Sequence, residues 1–252
     1  MQTLVRNYKA EIYQMLHSKL LIVHLVVPMV GILLFVSYYR YAPWENTDKI
    51  SAYLQAVAMA FPILAAIVIG MDCEGERNAA NFQRILTMSH SKKLGHLSKL
   101  LALGTLGVMS VLITVVGFGI LTIAMGNDVI GLVDYFKLAM LLFVTNIGWY
   151  SIEYIVSFNW GSGIALGLGI VGGLLSPLMV FDLGDGIWQM IPCAWGMRLV
   201  GYAFEMMNAS ENQHIQGIFQ QGFDRMIVIS LLILFIFIIW SERWQGLGRQ
   251  EE

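Results

Sequence analysis

Charge is scarce in this sequence. Only 13% of its 252 residues are Asp, Glu, Lys or Arg, while 57% are hydrophobic. An ordinary soluble domain carries about 25% charged and about 45–50% apolar residues. So little charge cannot dress a water-facing surface, which excludes a soluble globular protein, a disordered tail and a nucleic-acid binder. Cysteine is nearly absent, and Cys73 and Cys193 alone cannot build a disulfide scaffold. Catalytic signatures are missing: there is no His-Glu-x-x-His, no Gly-x-Ser-x-Gly and no paired intramembrane His and acid. No Gly-x-x-x-x-Gly-Lys-Ser/Thr exists either, so the chain has no P-loop of its own for ATP, and it reads as a non-enzyme. What it does have is long apolar runs, with a mean hydropathy of +0.67. It reads as an all-α membrane protein, a single domain over 1–252 with no room for a separate soluble one.

A membrane span needs roughly 20 apolar residues, because each rises about 1.5 Å through a core of about 30 Å. Six stretches qualify. They are Leu20–Tyr39, a run within Ile50–Met71, a run within Leu100–Asn127, two spans sharing Leu138–Phe181, and about Arg225–Ser241. The natural turn inside the shared run is Ser157-Phe-Asn-Trp-Gly-Ser-Gly163. Helix is the safe assignment, because lipid cannot satisfy exposed backbone and no strand-length alternation repeats. The first span starts too far in and is too long for a signal-peptide core, so it reads as retained.

Six spans put both termini on one side. Ten of the Lys and Arg residues, from Arg6 to Lys19, Arg77 to Lys99 and Arg243 to Arg249, fall on that side, against five on the other. Both termini and the 72–98 loop are therefore placed in the cytoplasm. Nine acidic residues, including Asp182, Asp185 and Asp224, fall outside. This sidedness puts Cys73 inside and Cys193 outside, where they cannot pair. Tyr38, Tyr39, Tyr41 and Trp44 form an outer aromatic anchor, and Trp240 and Trp244 an inner one.

Three pieces lie outside the lipid. In residues 1–19, Leu4, Val5, Tyr8, Ile12, Met15 and Leu16 recur at helical spacing, with Arg6, Asn7, Lys9, Glu11 and Gln14 elsewhere. This predicts an amphipathic helix in the inner interface. In the 72–98 loop, Phe82, Ile85 and Leu86 make a short apolar stripe ringed by charge, and Ser91 is a candidate N-cap for the next helix. Two readings of that stripe stand open: a connector resting on headgroups, or a docking surface for a soluble partner. The outer segment, 182–224, is too long for a turn. Its apolar part, Gly186–Phe204, is broken by Pro192, Gly196 and Gly201 and predicts one or two short, re-entrant-like helices that dip into the outer leaflet or cap the bundle. Asn208–Gly217 reads as polar and exposed.

Some residues inside the spans stand out. Gly163/Gly167 and Gly169/Gly173 are small-xxx-small pairs that predict close helix packing, within the chain or across a dimer. Gly167–Gly172 also spells a dinucleotide fingerprint, but it follows no strand and sits in a span. Glu153 is the one carboxylate in the apolar runs. It reads as a side chain snorkelling to the inner headgroups or as a substrate or proton site, with Asn146 on a similar face. His24 and Pro28 read as a hydrogen-bonded core histidine and a tolerated kink. Asp72, Cys73, Glu74, Glu76, His90 and His96 can be drawn as a metal cluster, but their spacing matches no ligand pattern, and they read as solvated loop charge. Trp188, Trp195 and Arg198 are candidate substrate contacts on the premise that they are exposed.

Together these parts resemble an ABC-2 type transporter permease, of type V exporter architecture. The loop Glu74-Gly-Glu-Arg-Asn-Ala-Ala-Asn-Phe-Gln-Arg-Ile-Leu86, then Lys92-Lys93 and Ser98-Lys99-Leu100, is similar to that family's coupling region. The Asn-Phe-Gln wording, the chain length and the outer Ile191-Pro-Cys-Ala-Trp195 with Arg198-Leu199 look most like lantibiotic-immunity permeases of the MutE/EpiE type. The layout matches over the whole chain. One departure is Met88-Ser-His-Ser91, where the family commonly has a proline.

The resemblance implies a multi-pass transporter subunit in the plasma membrane of a Gram-positive bacterium. It implies a second related permease, as a heterodimer, and a separate pair of ATP-binding subunits that carry the ATP and Mg²⁺. It assigns ATPase coupling to Glu74, Glu76, Arg77, Asn81, Phe82, Ile85 and Leu86. The substrate it implies is a cationic, lantibiotic-like peptide expelled from the membrane, or else another drug or lipid. The acidic excess outside favours cations nearby, though salt screens it within about 8 Å. An ATP-independent channel or carrier using Glu153 is the alternative from the residues alone. An intramembrane enzyme comes last, because His24 and Glu153 lie at opposite depths.

Overall fold

The computed structural model describes residues 2–87, 92–208 and 213–246, and among them every regular element is helical. The amphipathic N-terminus forms α1, Gln2–Leu16. Ser18 separates it from α2, Lys19–Tyr39: its hydroxyl donates to the Met15 carbonyl (2.8 Å) and accepts from the Leu20 N–H (3.2 Å). One side chain thus satisfies orphan backbone groups at two helix ends. Pro28 sits inside α2 and supplies no N–H to the carbonyl of His24. Ser110, from a neighbouring helix, donates to that carbonyl at 3.1 Å, so the proline leaves no bare acceptor. His24 itself is buried, with Nδ1 2.7 Å from the Leu20 carbonyl, as a core histidine should be.

α3, Asn46–Ala80, is far longer than the run within Ile50–Met71. Asp72–Ala80, read as loop from its charge, continues the helix. It stops where Asn81 (φ 46°) and Phe82 (φ 63°) adopt left-handed backbone. Their N–H groups turn back to the carbonyls of Arg77 (2.8 Å) and Glu76 (3.3 Å). A single turn, α4 (Gln83–Leu86), follows. The Ser91 cap lies outside the described residues. α5 is Lys92–Ala124.

The shared apolar run holds α6 (Leu132–Thr145), α7 (Ile147–Trp160) and α8 (Ser162–Leu178). The turn falls at Gly161 (φ 94°), inside the motif that marks it. Between α6 and α7 there is a 41° bend at Asn146 that hydropathy does not foreshadow. α2, α3, α5 and α10 (Gln213–Arg243) are long and apolar enough to cross a membrane, and the α6–α7 pair qualifies as a fifth if it is one span. α8, with 17 residues, is shorter. α10 also begins well before Arg225, so its first turns belong to what the sequence assigns to the outer segment.

α3 runs through the middle, packed on α7, α8 and α9 (Trp195–Asn208), while α1 and α2 lean on α5. α8 reaches α3 closely because Gly169 and Gly173 lack side chains. A Cβ at Gly169 would lie 2.5 Å from the Ala66 Cβ and 2.8 Å from the Pro62 carbonyl oxygen. At Gly173 it would meet Ile63 at 2.8 Å. This pair therefore packs within the chain, whereas Gly163 and Gly167 face open space. α2 and α10 present apolar outer faces, for example Leu33, Leu34, Leu231 and Phe235, as a lipid-facing surface requires.

The segment before α10 contains three one-turn 3-10 helices (Asp182–Gly184, Trp188–Met190, Pro192–Ala194) and then α9. α9 is buried from Trp195 to Val200 and lies against α3, α6 and α10. Gly196 permits the contact with α6, since a Cβ there would lie 2.8 Å from the Asn146 amide nitrogen. Of the polar stretch Asn208–Gly217, residues 209–212 lie outside the described residues. Gln213 and His214 are exposed and Ile215 is buried.

Candidate functional site

At the end of the bundle that holds α1 and α4, five charged side chains meet inside the protein. Asp72 and Glu76 are one helical turn apart on α3, so both face α5. There Lys99, fully buried, places Nζ 3.0 Å from Asp72 Oδ1, 3.0 Å from Glu76 Oε1 and 3.0 Å from Glu11 Oε2 of α1. Arg84 of α4 closes the ring. Its Nη1 lies 2.7 Å from Glu11 Oε1, its Nε donates to Glu76 Oε2 at 3.3 Å, and its Nη2 also pairs with Glu76 Oε1. Burial works against the Arg84 cation, but the hydrogen-bonded carboxylates of Glu11 and Glu76 outweigh it and raise its pKa above the usual guanidinium value.

Two sequence expectations are corrected by this cluster. Periodicity puts Glu11 on the polar face of α1, yet Glu11 is buried and so is Met15. Asp72 and Glu76 are internal partners of a buried lysine and not solvated loop charge. Among the described residues, no group of three or more His, Cys, Asp and Glu could hold a metal ion. His90 lies outside the described residues.

An aromatic layer sits beside the cluster. Phe82 is buried, edge-on to Trp244 (ring centroids 5.3 Å) and tilted against Phe158 (5.8 Å). The Trp244 indole donates to the Phe158 carbonyl at 3.0 Å, and that of Trp240 donates to Asn159 Oδ1 at 3.0 Å. His96 packs on both rings and places Nδ1 3.0 Å from the Tyr154 hydroxyl. Trp244 is therefore a packed core residue rather than an interfacial anchor, and Trp240 is partly buried against the same core. The stripe is corrected too. Phe82 and Ile85 are covered by the chain itself, and Leu86 is half-buried. What this end presents outward is polar: Glu74, Arg77, Asn81 and Gln83. Glu74 accepts a hydrogen bond from the Ser162 hydroxyl.

Glu153 is completely buried where α3, α7 and α8 cross, which corrects the snorkelling reading. A Cβ at Gly169 would stand 3.4 Å from its Oε1. The Trp149 indole N–H is the carboxyl's polar neighbour, short of full hydrogen-bond geometry, and neither carboxyl oxygen has another partner among the described residues. Asn146 Oδ1, the Tyr150 hydroxyl and the Ser157 hydroxyl, on the same side of the α6–α7 pair by helical spacing, are likewise unpartnered. This line of buried polar atoms can take a proton or a polar guest; of its members, Glu153 and Asn146 were legible in the sequence, and Tyr150 and Ser157 were not.

At the opposite end, Trp188, Trp195 and Arg198 are buried, which removes the exposure that made them substrate contacts. Arg198 instead gathers the chain. Nε donates to the Met179 carbonyl (2.6 Å), Nη1 to the Tyr202 hydroxyl (2.8 Å), and Nη2 to the Phe181 carbonyl (3.2 Å) and Asp185 Oδ1 (2.7 Å). Its guanidinium also lies 5.7 Å from the Trp188 ring centre. Trp195 donates to the Gln189 carbonyl at 3.0 Å. Cys73 and Cys193 are both free and buried.

No family model, no curated protein and no solved structure matches the chain.

Proposed function

We propose that this chain is the permease subunit of an ATP-driven ABC transporter in a bacterial plasma membrane. It crosses six times, with both termini in the cytoplasm. A separate pair of ATP-binding subunits supplies the energy, and a second, related permease completes the pore. The observation that carries this reading is the Lys99 cluster. It joins α1, the inner ends of α3 and α5, and the Asn81–Thr87 hook into one unit. A push on the polar outer face of that hook, Glu74, Arg77, Asn81 and Gln83, is passed to two long helices without being lost in a loose loop. Of the coupling residues, Glu74, Arg77 and Asn81 make the contact, while Glu76, Phe82 and Ile85 hold the hook in place. Gly163 and Gly167, open on α8, suit close approach of the second permease. By the ABC-2 resemblance, the cargo is a cationic amphipathic peptide drawn from the outer leaflet and expelled.

The test is affinity purification from native membranes in mild detergent, with mass spectrometry of the co-purifying proteins. A P-loop ATPase and a second polytopic protein are expected. Recovery of the chain alone, in a detergent that preserves a known ABC complex in parallel, would overturn the reading.

One observation favours a second reading, an ATP-independent carrier: the buried, unpartnered carboxyl of Glu153. That reading requires transport by the purified chain in liposomes, abolished by Glu153→Gln.

A further inference from the structure

α1 is amphipathic, and its apolar face is turned into the protein. Met15 is buried, and Tyr8 and Ile12 pack on the same core. Glu11 goes inward with them, onto Lys99. It is the one acidic residue in 1–19, so its burial leaves only cations on the outward side of α1. Arg6 and Lys9 are exposed there, and neither is in an ion pair among the described residues. Together with Gln2 and Val5 they line an open recess. Tyr13, 68% exposed, lies on the same stripe at i, i+3 and i+7 from Arg6, and the exposed apolar side chains of Val5 and Leu16 flank it.

Contacts with α5 fix the level of this face. Glu11 meets Lys99, and the Tyr8 hydroxyl lies 2.9 Å from Thr105 Oγ1. α1 therefore lies along the first turns of the apolar run that opens at Leu100. Exposed apolar side chains begin at the same level, with Leu101 on α5 and Ile22 on α2. In a bilayer this is where hydrocarbon meets headgroups.

We propose that the outward face of α1 binds the headgroups of anionic phospholipids, with Arg6 and Lys9 on the phosphates and Tyr13 beside them in the interface. An interfacial helix ordinarily holds a bilayer by inserting its apolar face, which does not distinguish one headgroup charge from another. Here the bundle has taken that face. The attraction left to the outward side is mainly Coulombic, and it selects for negative charge. Val5, Leu16 and the level of the helix match a lipid surface and not an acidic soluble protein. This contact needs the membrane placement of the proposed function, but no ATPase.

The test is fluorescence quenching on the purified full chain in nanodiscs of neutral lipid. A bimane is attached at Tyr13→Cys, since Cys73 and Cys193 are buried. Phosphatidylglycerol and phosphatidylcholine, each carrying a nitroxide high on one acyl chain, are titrated in as quenchers. One basic residue at an anionic surface strengthens binding about fivefold. Phosphatidylglycerol should therefore reach half-maximal quenching at about a tenth of the phosphatidylcholine mole fraction or lower. Arg6→Gln with Lys9→Gln should bring the two lipids near equality. Arg40→Gln with Lys49→Gln, the same loss of charge beyond the far end of α2, should leave the preference intact. About 1 M salt, which screens charge within about 3 Å, should erase the preference without any variant, so the test stands even if the double variant melts early. Equal quenching by the two lipids, a preference that survives the α1 double variant and salt, or quenching by neither lipid would overturn the proposal. An ATPase missing from the affinity purification changes none of these outcomes, so the two failures are separable.

Discussion

Lys99 and Glu11 stand 88 residues apart in the chain, yet Nζ and Oε2 meet at 3.0 Å inside the protein. Taking an ammonium out of water is costly, and the neighbouring carboxylates of Asp72 and Glu76 offset that cost only while all of them stay in place. The pairing therefore acts as an all-or-none clasp. It holds an N-terminal helix, which by itself could simply float in the headgroups, against the two longest helices of the bundle.

Lys99→Met leaves three carboxylates without their shared cation. A destabilisation of about 3–5 kcal/mol is expected, the usual effect of removing one partner of a buried ion pair. The thermal melt of the purified protein measures it. Early protease cleavage between α1 and α2, near His17, locates it. Adding Asp72→Asn to Lys99→Met should recover part of the loss, since Asp72 pairs only with Lys99 while Glu11 and Glu76 keep Arg84.

Phe82→Asp puts a carboxylate among Trp244, Phe158 and His96. It should abolish monodisperse protein in fluorescence-detected size exclusion, because the stripe is core. Arg77→Glu, on the exposed face of the same region, should leave the elution profile unchanged while weakening the proposed association with an ATPase.

The two glycine pairs of α8 should separate cleanly. Gly169→Val forces a side chain onto Ala66 and the Pro62 carbonyl and is expected to cost about 1–3 kcal/mol or more by overpacking. Gly167→Ala meets nothing and should be neutral or stabilising by about 0.5–1 kcal/mol, through helix propensity. Thermal melts of the two variants decide this.

Arg198→Met should strand the buried Met179 carbonyl, at about 1–3 kcal/mol, free the exposed Phe181 carbonyl to water at little cost, and loosen residues 179–185. Arg198→Lys should not rescue it, because an ammonium cannot reproduce the forked, planar contacts. Limited proteolysis of this segment reports the change.

How much of this was readable in advance depended on the range of the interaction. α2 was legible because twenty residues without a charge leave a helix in lipid as the economical solution, and Gly161 because a turn chemistry was written beside it. The bend at Asn146 was not, since hydropathy averages over a window and does not register a break inside an apolar run. Helical spacing put Glu11 with the polar residues of α1 correctly as geometry, but the partner that draws it inward is encoded at Lys99. Phe82 looked like a presented stripe for the same reason: its cover, Trp244, lies near the far end of the sequence. Trp188, Trp195 and Arg198 were judged by chemistry as surface residues, whereas the carbonyls that bury Arg198 belong to the end of α8 and the turn after it.

Site-specific photo-crosslinking in living cells asks whether the exposed hook meets an ATPase. A benzophenone amino acid is placed at Asn81, on the exposed hook, and at Tyr41, 88% exposed near the other end of α2. Asn81 should capture a P-loop ATPase and Tyr41 should not. No ATPase adduct at Asn81, with none at Glu74 or Arg77 under the same irradiation, would contradict it.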